Sequence, residues 1–224
     1  MEVIGLLASP HGLKGNTAGL LELVMDGARN AGAGTETIVL PGGTVGPCKA
    51  CDVCHVKGAC PQKDDFESIK AKIYEADALV LASPNYIFHV SAQLKAFIDR
   101  CCGVIHCLSF KGKYGASVVT SGGGGEEAVA EYLDTFMVAT GIAPVGRIGA
   151  AMAAAPGGVF PDDIKEDAAA LGKKLVESCK TKAKFPEVEA AHSEFQERMR
   201  MLVTFRKDDW PYEYEYWQKH YGME

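Results

Sequence analysis

No apolar run in this 224-residue chain approaches the roughly 20 residues that a bilayer-spanning helix needs. The opening MEVIGLLASPHGLKG has no basic stretch ahead of its short apolar run, so a leader is not expected and a cytoplasmic location is the default reading. An excess of positive charge is also lacking. Lys and Arg number 23 against 29 Asp and Glu, a formal net charge of −6, which leaves no broad positive field to draw in nucleic acid or anionic lipid. The first glycine-rich turn, SPHGLKGNT, lacks the GKS or GKT ending of a phosphate loop and the spacing of a GxGxxG fingerprint, which disfavours a nucleoside triphosphate or a dinucleotide bound in the usual way. No Ser-His-Asp set and no paired carboxylates stand out to carry hydrolysis.

What is present is an ordinary globular composition, 47% apolar and 23% charged, long enough for one domain and an appendage. The apolar runs EVIGLLAS, TETIVL, ALVLAS and YGASVVTS read as strands, with VGRIGAAMA as a shorter fifth. Helical spacing recurs between them, as in TAGLLELVMDGARNAG, DDFESIKAKIYEADA, SAQLKAFIDRCC with Ser91 as cap, EAVAEYLDTFMVATG, and FPDDIKEDAAALGKKLVESC. Alternating strands and helices predict a doubly wound α/β fold with a parallel sheet, and ligands then gather beyond the carboxyl ends of the strands. The repeating pattern fills residues 1–182. Residues 183–224 hold one more amphipathic helix and an aromatic, charged tail.

Three loops follow strands and should meet at that carboxyl edge. The first offers Ser9, His11, Asn16 and Thr17 with backbone amides at a helix N-terminus, a suitable nest for an anion. The second, PNYIFHVS, offers Pro84, Asn85, Tyr86, Ile87 and Phe88, greasy and planar surfaces with one amide, as a flavin ring would need. The third, Ser121, Gly122, Gly123 and Gly124, is permissive backbone that a ligand can approach closely. Each also has a plainer reading, as a capped turn, a subunit contact or a flexible turn.

Cys48, Cys51 and Cys54 recur at every third residue, and Cys60 follows with Pro61 next. The run resembles the cluster-binding segment of bacterial ferredoxins and is consistent with one [4Fe-4S] cluster. Zinc, a disulfide and free thiols remain alternatives. Cys101, Cys102, Cys107 and Cys179 lack such spacing and read as core packing.

With SPHGLKGNT, VGPCKACDVCHVKGACPQKDDF, ASPNYIFHVSAQLKAFIDR and TSGGGGEE in this order, the chain resembles the iron-sulfur flavoproteins, a branch of the flavodoxin-like NAD(P)H-dependent FMN reductases. The resemblance implies a five-stranded sheet of order 2-1-3-4-5. It places an FMN phosphate at Ser9, His11, Asn16 and Thr17, the flavin ring near residues 84–88 and 122–124, and a cluster on Cys48, Cys51, Cys54 and Cys60. It implies a homodimer or homotetramer that passes electrons from a ferredoxin or NAD(P)H through cluster and FMN to a small acceptor. A cluster-free NAD(P)H-dependent FMN or quinone reductase and a non-enzymatic thiol or zinc sensor are the rival readings. Two features depart from the resemblance. His11 stands where the family usually has arginine, and the tail from about residue 187 has no counterpart in the short members, so it is expected as a dimer arm or active-site cover.

Overall fold

The computed structural model describes residues 1–223, apart from the side chains of residues 154 and 156. Five strands, β1 (Glu2–Leu7), β2 (Gly34–Val39), β3 (Ala78–Pro84), β4 (Tyr114–Ser121) and β5 (Ala143–Ala151), form one parallel sheet of order β2-β1-β3-β4-β5. The central β3 is buried along its whole length, whereas edge strands β2 and β5 are only partly covered, as expected when helices blanket the middle of a sheet. β5 begins two residues before the expected stretch and, at nine residues, is the longest of the five strands and not a shorter one.

Side chains alternate across the sheet. Ile4, Leu6, Leu79, Leu81 and Val119 face α3 (Phe66–Glu75), α4 (Ala92–Arg100) and α6 (Glu126–Thr140). Val3, Leu7, Ala78, Val80 and Val118 face α1 (Asn16–Asn30) and α7 (Asp162–Thr181). The last two helices approach backbone to backbone. A methyl group at Gly172 would overlap the Val24 carbonyl, so glycine is what allows α7 to lie so close to α1. Ser91 caps α4 as expected, its Oγ accepting from the Leu94 amide.

The cysteine segment is not all loop. It contains a short helix, α2 (Val53–Lys57), entered through left-handed residues Ala50 and Asp52. α5 (Cys102–His106) follows α4 directly. After α7, the extension folds as α8 (Pro186–Phe205) and α9 (Pro211–Tyr221). It has a small core of its own, in which Trp217 is fully buried against Leu108, Met199 and Val203. Tyr212 is 39% exposed, but Trp217 donates from Nε1 to the His106 carbonyl at 3.0 Å. The aromatic tail therefore packs on its own chain, over α2 and α5. No described helix is long and apolar enough to cross a membrane.

Candidate functional site

At the carboxyl edge of the sheet the first and third loops meet the start of the second. Ser9, His11, Asn16, Thr17, Pro84, Asn85, Tyr86, Ser121 and Gly122 line one cavity of about 210 Å³, together with Thr120 and Met152, which sequence reasoning missed. Thr120 sits inside an apolar strand and gave no signal. It is buried, and its Oγ1 lies 2.6 Å from Thr17 Oγ1, joining the start of α1 to the end of β4. Ile87 and Phe88 do not line the cavity. They are 90% and 85% exposed with positive φ of 49° and 65°, a conformation that costs a non-glycine residue of order 1–3 kcal/mol. Gly123 and Gly124 also stand outside the lining. Gly124 nevertheless shapes it, because its carbonyl accepts from Asn85 Nδ2 at 2.9 Å and its amide donates to Ser121 Oγ at 2.7 Å.

Two observations equip the cavity for a ligand that carries an anionic group and a hydrogen-bond donor. The N-cap of α1 is Gly15 and supplies no side-chain acceptor. Ala18 and Gly19 donate to the Gly15 carbonyl, which leaves the Asn16 and Thr17 amides with neither an intrahelical partner nor a cap, and the helix dipole there favours an anion. Asn85 Oδ1 is buried without a hydrogen-bond partner, an arrangement that costs of order 1–3 kcal/mol unless a ligand donor meets it. A methyl group at Gly122 would meet no atom within 4 Å, so the third loop leaves open space at the mouth. Larger clefts lie elsewhere, around Lys111–Tyr114 at the opposite edge of the sheet and between α6 and α8.

The cysteine segment is pinned at both ends by a buried ion pair. Arg100, whose side chain is fully buried, pairs through Nη1 with Asp64 and stacks 4.4 Å from the Phe66 ring. Asp64 Oδ2 accepts from the Gly46 amide at 2.9 Å, and Arg100 Nη1 donates to the Gly46 carbonyl at 3.4 Å. Burial opposes the charge on Asp64, but hydrogen bonds from Arg100, Gly46 and Phe66 outweigh it and hold its carboxyl below the usual range. Arg100 Nη2 also donates to Cys60 Sγ at 3.2 Å, and the Ala50 amide donates to Cys48 Sγ at 3.4 Å. Donors aimed at sulfur are also the contacts that orient a cysteine ligand around a bound metal. Cys48 and Cys51 are exposed, Cys54 and Cys60 half-buried.

Among the described residues, no three of these four cysteines lie within 4.8 Å of one another, the spacing of ligands around one ion. This disfavours a single zinc. A polynuclear cluster sets no such limit, because each thiolate binds a different iron.

Cys102 departs from the core-packing expectation. Cys101 and Cys107 are buried, but Cys102 lies 3.6 Å from His106 Nε2. Hydrogen bonds from His106 and His55 pull its thiol down to about 6 against the opposing effect of burial. The i,i+4 spacing of Cys102 and His106 is a signal legible in the sequence, since residues four apart on a helix are neighbours. His89 rests edge-on against Tyr132 and is absent from the cavity lining.

The sequence profile of NADPH-dependent FMN reductases matches residues 1–157. An iron-sulfur flavoprotein of Archaeoglobus fulgidus is 34% identical over 220 residues, 98% of each chain, so the C-terminal extension does have a counterpart. An NAD(P)H dehydrogenase (quinone) of the same organism is 30% identical over 182 residues, 75% of this chain and 93% of its own. In fold, an NAD(P)H:quinone oxidoreductase structure from Methanothermobacter marburgensis superposes with a TM-score of 0.58 at 18% identity, covering 80% of this chain and 97% of that one.

Proposed function

From the premise that this chain belongs to the NADPH-dependent FMN reductase family, in its iron-sulfur flavoprotein branch, we propose an FMN-dependent oxidoreductase that also carries a [4Fe-4S] cluster on Cys48, Cys51, Cys54 and Cys60. When bound, FMN takes up or gives off two electrons, and the cluster carries them one at a time. The protein's own part begins at the α1 N-terminus, where the uncapped amides with Ser9, Asn16 and Thr17 would hold the phosphate. Asn85 Oδ1 would accept from the flavin. The cavity of about 210 Å³ is below the roughly 300 Å³ at which small-molecule pockets begin. The ring would therefore lie outward, over Tyr86 and the exposed Ile87 and Phe88, where a second copy of the chain or the acceptor would cover it. Arg100 would hold Cys60 and keep the cysteine segment folded whichever electron count the cluster has.

The single observation that carries the flavin reading is the buried, unpartnered Asn85 Oδ1 beside an uncapped helix start. The cluster reading is supported by the cysteine spacing and by the donors aimed at Cys48 and Cys60. A second reading, a reductase of flavins or quinones with no cluster, is favoured by the likeness to the NAD(P)H dehydrogenase (quinone) of Archaeoglobus fulgidus, 30% identical over 182 residues. The variant Cys51→Ser separates them. It should lose iron while keeping FMN, and unchanged iron content would remove Cys51 from the ligand set. The electron donor, ferredoxin or NAD(P)H, and a small organic acceptor complete the proposal, with a homodimer or homotetramer as the working assembly.

A further inference from the structure

Nothing in the flavin or cluster reading uses the group that joins the extension to the cysteine segment. Glu213 of α9 is fully buried, with Oε1 2.5 Å from His55 Nδ1 and Oε2 3.0 Å from His106 Nδ1. One ring nitrogen of His55, one of His106 and the Cys102 sulfur all lie within 4.8 Å of one another. Trp210 stacks on both imidazoles at 4.6 and 4.9 Å and shields them. From this convergence we propose that His55, Cys102 and His106 form a separate mononuclear metal site for zinc, with Glu213 orienting the two imidazoles.

The donor chemistry fits. Two imidazole nitrogens and one thiolate form a borderline-soft set, which suits zinc and does not suit calcium or magnesium. The spacing fits as well. Tetrahedral zinc with Zn–N about 2.0 Å and Zn–S about 2.3 Å sets nitrogen and sulfur about 3.5 Å apart, and Cys102 Sγ stands 3.6 Å from His106 Nε2. The carboxylate is where a metal-binding histidine needs it. A ligating imidazole gives its other N–H to an acceptor, which fixes the tautomer and the ring plane. Here one buried carboxylate serves two rings through their Nδ1 atoms, so that the Nε2 atoms face Cys102, with Cys54 also within hydrogen-bond reach of His55. Cys102 and His106 share one face of α5, and Asp52 Oδ1, 3.8 Å from His55 Nε2, offers an oxygen as the fourth donor. A carboxylate between two histidines that only docked α9 would not require the sulfur on their far side.

The site does not depend on the cluster proposal, and its test is built so that the two fail separately. The full-length Cys48→Ser/Cys51→Ser chain, in which neither a cluster nor a four-thiolate zinc can assemble, is loaded with Zn²⁺, desalted and assayed for metal and for FMN binding. About one zinc per chain is expected. Cys102→Ser and His106→Gln, each added to that background, should weaken zinc at least tenfold with FMN affinity unchanged, which reports an intact fold. Glu213→Gln should weaken zinc roughly tenfold to a hundredfold. Co²⁺ in place of zinc should give a sulfur-to-metal charge-transfer band that Cys102→Ser abolishes. Less than about 0.2 zinc per chain, or full zinc retained in both the Cys102 and His106 variants, overturns the site. Unchanged affinity in Glu213→Gln overturns its orienting role.

Discussion

Replacing Arg100 by Met keeps an unbranched apolar side chain beside Phe66 and removes the guanidinium that lies over its ring and closes the cysteine segment. The wild-type guanidinium is fully buried, while its partner Asp64 keeps 19% of its side-chain surface. Breaking a buried ion pair by removing one member costs roughly 3–5 kcal/mol. Because Asp64 retains some water, the lower end applies, about 3 kcal/mol. That is a large share of the roughly 5–15 kcal/mol that holds a domain folded. The loss is local as well as global, since the same pair anchors Gly46 before the cysteines and Cys60 near their end. Urea unfolding should show the reduced stability, and amide exchange should accelerate selectively over residues 46–64. Adding Asp64→Asn should recover part of the loss by removing the stranded carboxylate. A change below about 1 kcal/mol, with exchange over 46–64 as in wild type, would refute the idea that this pair holds the segment in place.

Other expectations follow from the same geometry. His11→Arg puts a permanent charge beside the α1 N-terminus, so FMN should bind roughly tenfold tighter at pH 8, about 1.4 kcal/mol, and titration calorimetry would show a flat or weaker affinity if the phosphate lies elsewhere. His192 on α8 donates from Nε2 to the Ile142 carbonyl at 3.2 Å, and burial outweighs that bond and the nearby Glu189, with Lys111 adding to the downward shift in its pKa. A histidine depressed on folding contributes stability above its unfolded value, near 6.5, and loses it as pH falls. Urea midpoints should therefore drop more between pH 7 and pH 5.5 in wild type than in His192→Gln, and equal drops would exclude the residue. Trp217→Ala empties a fully buried site and strands the His106 carbonyl. It should cost roughly 3–5 kcal/mol and release α8 and α9 to limited proteolysis, whereas a resistant extension would show that its docking lies elsewhere.

The sheet was readable because ALVLASP and EVIGLL are apolar along nearly their whole length, which leaves little choice but a buried parallel strand. The start of β5 is less legible, because Gly146 and Gly149 interrupt its apolar pattern and Pro144 precedes it, yet Val145, Ile148 and Ala150 bury against the helices. The five-residue α2 escaped because VCHVK is too short to show a helical period. In the candidate site, polar residues in glycine-rich loops were legible, since such chemistry at strand ends has few structural uses. Thr120 was not, because a threonine in a strand looks like any β-branched residue. Ile87 and Phe88 stand outside the cavity because their left-handed backbone turns them outward, which apolarity alone does not announce. Glu213 meets His55 across 158 positions, and no local pattern announces a carboxylate that tertiary packing buries.

The most direct test is the content of iron, acid-labile sulfide and flavin in protein purified without oxygen. About four irons, four sulfides and one FMN per chain are predicted, and a full complement of FMN with fewer than about two irons would contradict the account and leave the cluster-free reductase in its place.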